Sequence, residues 1–180
     1  MTHTQQSHIA WQGSSWRLRV DQIMLPGGHT FERGIIEHPG AVVLVPLVET
    51  ENGYEVLMIR QYRAAIEDSL LELPAGTKGW QEDWLICAQR ELREETGYRA
   101  EKLTKLGQFW PAPGLSSELM TLYMATELRH DPLPADIDED IELVPMALPE
   151  LVAMAWDGRL QDGKSVIGIL GTAHHLQLAA

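Results

Sequence analysis

Gly76-Thr-Lys-Gly-Trp-Gln-Glu82 leads through seven residues into Arg90-Glu91-Leu92-Arg93-Glu94-Glu95-Thr96-Gly97-Tyr98, and the rest of the 180-residue chain is read outward from this stretch. Its second half has helical composition. Acids at Glu82 and Asp83 suit the positive end of a helix beginning near Glu82, and Gly97 suits its C-terminal stop. Carboxylates at 91, 94 and 95 lie three and four residues apart, so they project from neighbouring faces of consecutive turns. Like charges at those intervals cost an exposed helix roughly a few tenths of a kcal/mol per pair. Arg90, four residues before Glu94, and the adjacent Arg93 offset part of that cost. A salt-bridged, solvated helix face is one account of the cluster, and a bound cation is the other. Leu85, Ala88 and Leu92 form the expected buried stripe, with the carboxylates on the other side.

Upstream of this stretch, Trp16-Arg-Leu-Arg-Val-Asp21 alternates apolar with polar residues. Pro26-Gly27-Gly28 then turns the chain so that Phe31 to Glu37 returns as a second strand, predicting an N-terminal hairpin. Valine-rich Ala41 to Val48 and Tyr54-Glu-Val-Leu-Met-Ile-Arg60, joined by Glu51-Asn52-Gly53, are expected in a central sheet. Leu70 to Leu73 is a short strand halted by Pro74, and 75–81 is a loop. Downstream, Leu103 to Phe109 and Leu119 to Leu128 are two further strands flanking Pro111-Ala-Pro-Gly114. Asp136 to Glu142 is an acidic, exposed loop. Helices over Pro149 to Trp156 and Ser165 to Leu178 close the chain. This order of elements predicts an α/β domain, a mixed sheet covered by helices on both faces.

Composition bounds the partners. With 44% hydrophobic residues and 10 prolines the chain can bury a core as one globular domain. A net charge of -12, from 14 basic against 26 acidic residues, disfavours duplex nucleic acid and anionic membrane as partners. The N-terminal residues lack a basic start and an apolar core, and the longest apolar run contains Pro46, so a soluble cytoplasmic protein is expected. A single cysteine, Cys87, excludes an intrachain disulfide and a cysteine zinc cage. Acids beside it disfavour a nucleophilic thiolate.

Gly, five residues, Glu, seven residues, Arg-Glu-Leu, one residue, Glu-Glu, one residue, Gly: this arrangement resembles the Nudix box, with every charged and glycine position filled. Tyr98 stands where the family usually has an aliphatic residue, a departure that touches packing rather than chemistry. The resemblance implies an α/β/α sandwich with a mixed β-sheet, its box forming loop, helix and loop, and hydrolysis of a diphosphate linked to another moiety. It also implies Glu91 and Glu95 as principal metal ligands, Glu94 as a ligand or bridge, the Ala75 carbonyl completing the site, and Glu82 supporting the cluster. Arg90 would orient the acids by bidentate hydrogen bonds rather than touch substrate. Mg²⁺ is the expected ion and Mn²⁺ an alternative, since hard cations take carboxylate, carbonyl and water oxygens together with the substrate's phosphates. Such ions offset the repulsion between an acidic chain and a diphosphate, and lower the pKa of an attacking water.

Glu37-His-Pro-Gly-Ala-Val42, Arg60-Gln-Tyr-Arg63, Leu71-Glu-Leu-Pro-Ala-Gly76 and Pro111-Ala-Pro-Gly-Leu-Ser-Ser-Glu118 are similar to the ADP-ribose pyrophosphatase branch of that family, and Pro113, 15 residues past the box, sits where the branch has a proline. That similarity implies Arg33 and Glu37 at the adenosine end and Arg63 at the diphosphate, with Arg60 as its competitor and the chain beyond Arg60 leaving the strand before 63. It places the general base in the acidic stretch, with Glu139 first and Glu142 close behind. Similar enzymes exchange N-terminal strands across a two-fold axis. A homodimer is therefore expected, built by a hairpin extension of residues 1–40 bearing Trp11 and Trp16, beside a hydrolase domain of 41–180. The implied substrate is ADP-ribose or a related nucleoside diphosphate sugar. GDP-mannose and flavin or nicotinamide dinucleotides are alternatives that the box equally admits. A non-catalytic nucleotide sensor would be marked by a damaged box, and an RNA-decapping enzyme by basic groove residues. Neither mark is found.

Overall fold

The computed structural model describes residues 1–134 and 140–178. The chain opens with three antiparallel strands, β1 (His3–Gln12), β2 (Arg17–Met24) and β3 (Thr30–Glu37), in one small sheet. The expected hairpin is β2 and β3, turned through Gly27 and Gly28 at positive φ. β1 is an added strand that the sequence conceals. All of its residues are exposed, so no burial alternation marks it.

The central sheet contains β4 (Ala41–Thr50), β5 (Gly53–Arg63), β6 (Asp68–Glu72), β7 (Ala75–Thr77), β8 (Tyr98–Phe109), β9 (Met120–His130) and β10 (Ile141–Ala147). Its main path runs β10-β5-β4-β9-β8, with β6 added to β5 and β7 to β4. β4 and β9 are parallel and the other pairs antiparallel, so the sheet is mixed. The helices are α1 (Trp84–Thr96), α2 (Leu148–Asp157) and α3 (Gly163–His175).

Successive residues of β4 supply two cores. Val43, Val45 and Leu47 pack with Leu148 and Leu151 of α2 and Ile169 of α3. Val42 and Leu44 pack on the other face with Cys87, Ala88 and Leu92 of α1. Each such side chain contributes roughly 1.5–3 kcal/mol of burial. The alternation, in a strand apolar throughout, fixes helices on both faces as expected.

β4 changes partner along one edge, and this split positions the site. Leu47 to Thr50 pair with β5, whereas Ala41 to Val43 pair with β7. β5 meanwhile continues along β6, from Ile59 opposite Glu72 to Arg63 opposite Asp68. Between the two branches the Leu44 N–H donates to the Pro74 carbonyl at 2.9 Å. Pro46, two residues on, has no N–H to leave unpaired in the gap, which explains a proline inside a central strand.

Beyond β8, which begins at Tyr98 rather than Leu103, and α3, which ends at His175 rather than Leu178, three expectations near the site change. β5 reaches Arg63 instead of ending at Arg60, because β6 gives its last residues a partner. Residues 75–77 form β7 instead of loop, since their backbone pairs with β4. Ile141 and Glu142, expected in an acidic loop, instead open β10, which pairs with β5 along a sheet edge where Pro145 is tolerated, while 136–139 of that stretch lie outside the described residues.

Candidate active site

α1 begins at Trp84, two residues later than expected. Asp83 caps it, its Oδ1 accepting from the Leu85 N–H at 2.8 Å and the Ile86 N–H at 3.4 Å. Gly97 ends it at φ 78°, its N–H bonded to the Arg93 carbonyl. The buried face is Cys87, Ala88, Glu91, Leu92, Glu95 and Thr96. The expected stripe therefore fails at Leu85, which is 50% exposed, and two of the three carboxylates turn inward rather than outward. The helix is rotated about its axis relative to the apolar stripe because β7 and Arg90 offer Glu91 and Glu95 partners that an apolar wall would not.

Those partners are specific. The Ala75 N–H donates to Glu95 Oε2 at 2.9 Å. Gly76 lies so close to Glu91 that a Cβ there would stand 1.9 Å from its Cδ. Its φ is not in the left-handed region, so space and not backbone conformation requires glycine. Arg90 gathers the remaining acids. Its Nε and Nη2 donate to Glu82 Oε1 and Oε2 at 3.0 and 3.1 Å, while Nη1 lies 2.8 Å from Glu94 Oε2 and 2.7 Å from Glu91 Oε1. The Arg90 fork, helped by the Gly79 N–H, holds the Glu82 carboxyl down at about 2. Hydrogen bonding to Glu82 in turn raises Arg90, so this hub is charged at every pH at which the protein folds. Burial, then the Glu91 charge, pushes the Cys87 thiol up to about 12, in line with a packing role.

A cleft of about 550 Å³ opens beside this cluster, with Arg63, Glu72, Ala75, Gly76, Glu118 and Lys164 among its lining. Arg63 is held by Glu72, Nε to Oε1 at 2.7 Å and Nη2 to Oε2 at 2.6 Å. Arg60, its competitor, points to Glu142 at 3.6 Å and does not line the cleft. His38, beside Thr77 at 3.4 Å, is lowered by burial against the opposing pull of Glu118.

Other expected residues stand apart from this cleft. Arg33 is exposed on β3, its guanidinium 5.4 Å from the Phe31 ring, and Glu37 accepts the Arg17 fork at 2.8 and 3.0 Å. Arg17 lies over Trp80, which carries the base of the small sheet towards the 75–83 segment. Pro113 is exposed in the β8–β9 turn, and it is Pro111 that lines the cleft. Glu139 lies outside the described residues. Glu142 is on β10, 70% exposed. Glu72, Lys164 and Asp162 were not anticipated. The signal for them was weak: an aspartate three residues before a serine, a capping pattern at Asp162 that fixes a helix start but says nothing of what lies opposite.

Among the described residues, no three acidic, imidazole or thiolate groups already converge as a cation cage. The donor set nonetheless suits a hard cation. Three glutamates on adjacent turns offer oxygens only, the Ala75–Gly76 backbone closes on them, and a glycine keeps the approach open. Nor is any helix among the described residues long and apolar enough to cross a membrane.

A family model described as NUDIX domain matches residues 37–166. The chain is 37% identical to a methanol dehydrogenase activator of Bacillus methanolicus, over 88% of this chain and 85% of that protein. It is 34% identical to an ADP-ribose pyrophosphatase of Bacillus subtilis (strain 168), over 84% and 82% respectively. A crystal structure of an ADP compounds hydrolase superposes with a TM-score of 0.82, covering 98% of this chain and 94% of that one; at 22% identity it speaks to the fold.

Proposed function

We propose, from the premise that this chain belongs to the NUDIX domain family and is a Nudix hydrolase, that it cleaves the diphosphate linkage of ADP-ribose or a related nucleoside diphosphate sugar. The products are a nucleoside monophosphate and a sugar phosphate. The observation that carries this reading is the closure of Ala75 and Gly76 onto Glu95 and Glu91 at the wall of a cleft that also presents Arg63. One wall offers oxygens for a cation and another a guanidinium for phosphate oxygens, which together match a metal-bound diphosphate.

Glu91, Glu94, Glu95 and the Ala75 carbonyl would hold a divalent ion, with Mg²⁺ the first choice and Mn²⁺ the second. When bound, the ion supplies charge neutralisation at the diphosphate and acidification of a water. As ligands, Glu91 and Glu94 would share or give up their contacts with Arg90 Nη1, and the fork to Glu82 would keep Arg90 in position. Arg63 binds the diphosphate. Glu139 remains the first candidate for the base, with Glu142 behind it. Arg33, Glu37 and Pro113 are proposed at the substrate's far end. They reach it in a homodimer formed by residues 1–40, where the exposed β1, with Ile9 and Trp11, has a surface to cover. Residues 41–180 form the hydrolase domain, and the protein works in the cytoplasm.

Phosphatase-coupled phosphate release on ADP-ribose, GDP-mannose, ADP-glucose and ATP with Mg²⁺ tests this, for wild type and Glu94→Gln. ADP-ribose turnover that the variant loses is the expected result. Preference for GDP-mannose or ADP-glucose would reassign the substrate, and folded protein without turnover on any of them would overturn the hydrolytic reading.

A further inference from the structure

A second charged cluster stands in the cleft wall, built from β5, β6 and the start of α3, with Arg63 also within reach of the Glu95 charge on α1. Glu72, 1% exposed, receives the Arg63 fork and also the Lys164 ammonium on Oε2. Lys164, itself 8% exposed, donates at 2.9 Å to Asp162, which caps α3 by accepting from the Ser165 N–H at 3.1 Å. Ser165 Oγ accepts from the Leu73 N–H at 2.6 Å, so the residue after Glu72 is tied to the same helix end.

Charge alternates along this row: Asp162 negative, Lys164 positive, Glu72 negative, Arg63 positive. All four line the cleft, and the row ends on its most exposed member, Arg63, at 40%. Of the five N–H bonds of a guanidinium, Nε and one on Nη2 are committed to Glu72. The guanidinium's other edge carries one parallel N–H each from Nη1 and Nη2, a spacing that fits two phosphate oxygens. Without Lys164, Glu72 would cancel the charge that Arg63 offers; with it, Glu72 serves as a fixed seat.

We propose that Glu72 and Lys164 are positioning residues that clamp Arg63 with its free edge toward the diphosphate, making the start of α3 part of the substrate-binding apparatus. This rests on the hydrolase reading above. Neither residue touches substrate; both act through Arg63.

The test is steady-state kinetics on ADP-ribose with Mg²⁺, beside thermal melts, for Glu72→Gln/Lys164→Met and for Arg63→Ala with and without Glu72→Gln. The double variant removes both charges of the buried pair, while Asp162 keeps the Ser165 N–H and Arg63, 40% exposed, keeps solvent, so its Tm stays near that of wild type. Its kcat/KM nevertheless falls roughly 10- to 100-fold, mostly through KM, as a loosened charge-assisted contact requires. Free guanidinium in solution restores Arg63→Ala where Glu72 is present to seat it, and fails to restore Arg63→Ala/Glu72→Gln. A double variant within about twofold of wild-type kcat/KM, or equal rescue of both backgrounds, overturns the proposal even though wild type turns over. Absence of wild-type turnover on every sugar nucleotide removes the hydrolase reading, and this proposal with it.

Discussion

Replacing Gly76 with alanine would set a Cβ 1.9 Å from Glu91 Cδ and 2.1 Å from each of its carboxylate oxygens. Ordinary contact begins near 3.4 Å, so the carboxyl must withdraw by about 1.5 Å. Two effects oppose each other in stability. Alanine reduces the freedom of the unfolded chain, worth about 0.4–1 kcal/mol in favour where the backbone conformation is compatible. Overpacking costs about 1–3 kcal/mol, at the low end here because the obstructing atoms end a flexible side chain. The net change is a loss of about 1 kcal/mol or less, which leaves the fold intact. Function is far more sensitive. A catalytic group displaced by an ångström loses on the order of 100-fold in rate, and Glu91 would also lose its line to the cation. The expected outcome is a near-native melting curve, a cation requirement shifted to higher concentration, and kcat/KM down by about two orders of magnitude. Gly107→Ala, which meets nothing within 4 Å, is the control. Wild-type activity and cation dependence in Gly76→Ala would refute the assignment of Glu91 as a ligand.

Glu82, depressed from 4.5 to about 2 mainly by Arg90, contributes stability that is full above pH 4.5 and is lost as pH falls through 2. Discounted for partial exposure this is about 1–2 kcal/mol; denaturant melts should show Glu82→Gln less stable by that amount at pH 7, with most of the gap closed by pH 2, and a constant gap at all pH values would contradict the ion-pair account. Cys87, buried with its thiol near 12, should resist alkylation in native protein at pH 8 and react only on unfolding; native labelling at the rate of a free thiol would be inconsistent with its packing. Gly168→Ala would bring a Cβ to 2.3 Å from Leu73 Cδ1. Alanine's better helix propensity offsets about 1 kcal/mol, yet overpacking against a fully buried leucine should lower the denaturation midpoint, and a raised midpoint would show that α3 sits looser than described.

Much of this fold was legible because burial writes itself into β4, β5 and β9, whose apolar runs admit only a central place in a sheet. β1 was illegible for the opposite reason: a strand exposed along its whole length carries no burial pattern to read. The end of β5 at Arg63 and the existence of β7 depended on partners that only the fold supplies. At the site, the spacing of Glu82, Arg90, Glu91, Glu94 and Glu95 announces a cluster, and the structure gathers Glu82, Glu91 and Glu94 on Arg90 while Glu95 takes the Ala75 N–H beside Gly76. The apolar stripe of α1 points to the wrong face because apolar content alone does not decide which face is buried. Polar groups on β7 and the Arg90 hub compete for that face, and no periodicity reports a backbone N–H waiting across the gap. Glu72 and Lys164, 92 residues apart, have no local signature at all.

The two charged clusters owe their spacing to the split in the sheet. Arg63 and Glu72 belong to the β5–β6 branch, Ala75 and Gly76 to the β4–β7 branch, and only Leu73 and Pro74 lie between Glu72 and Ala75. Both connecting residues are immobilised. Leu73 is fully buried with its N–H on Ser165, and Pro74 has a restricted φ and a carbonyl bonded to Leu44. A substrate that must meet a guanidinium and a cation at once loses catalytic rate if the two drift apart, since orientation is worth several kcal/mol of barrier. Here the drift is limited to what two pinned residues allow. The same gap that leaves Pro46 without a hydrogen-bond partner to miss thus sets the distance between Arg63 and the α1 carboxylates, the groups proposed for phosphate and cation, so the irregularity of the sheet and the spacing of the cleft have one structural cause.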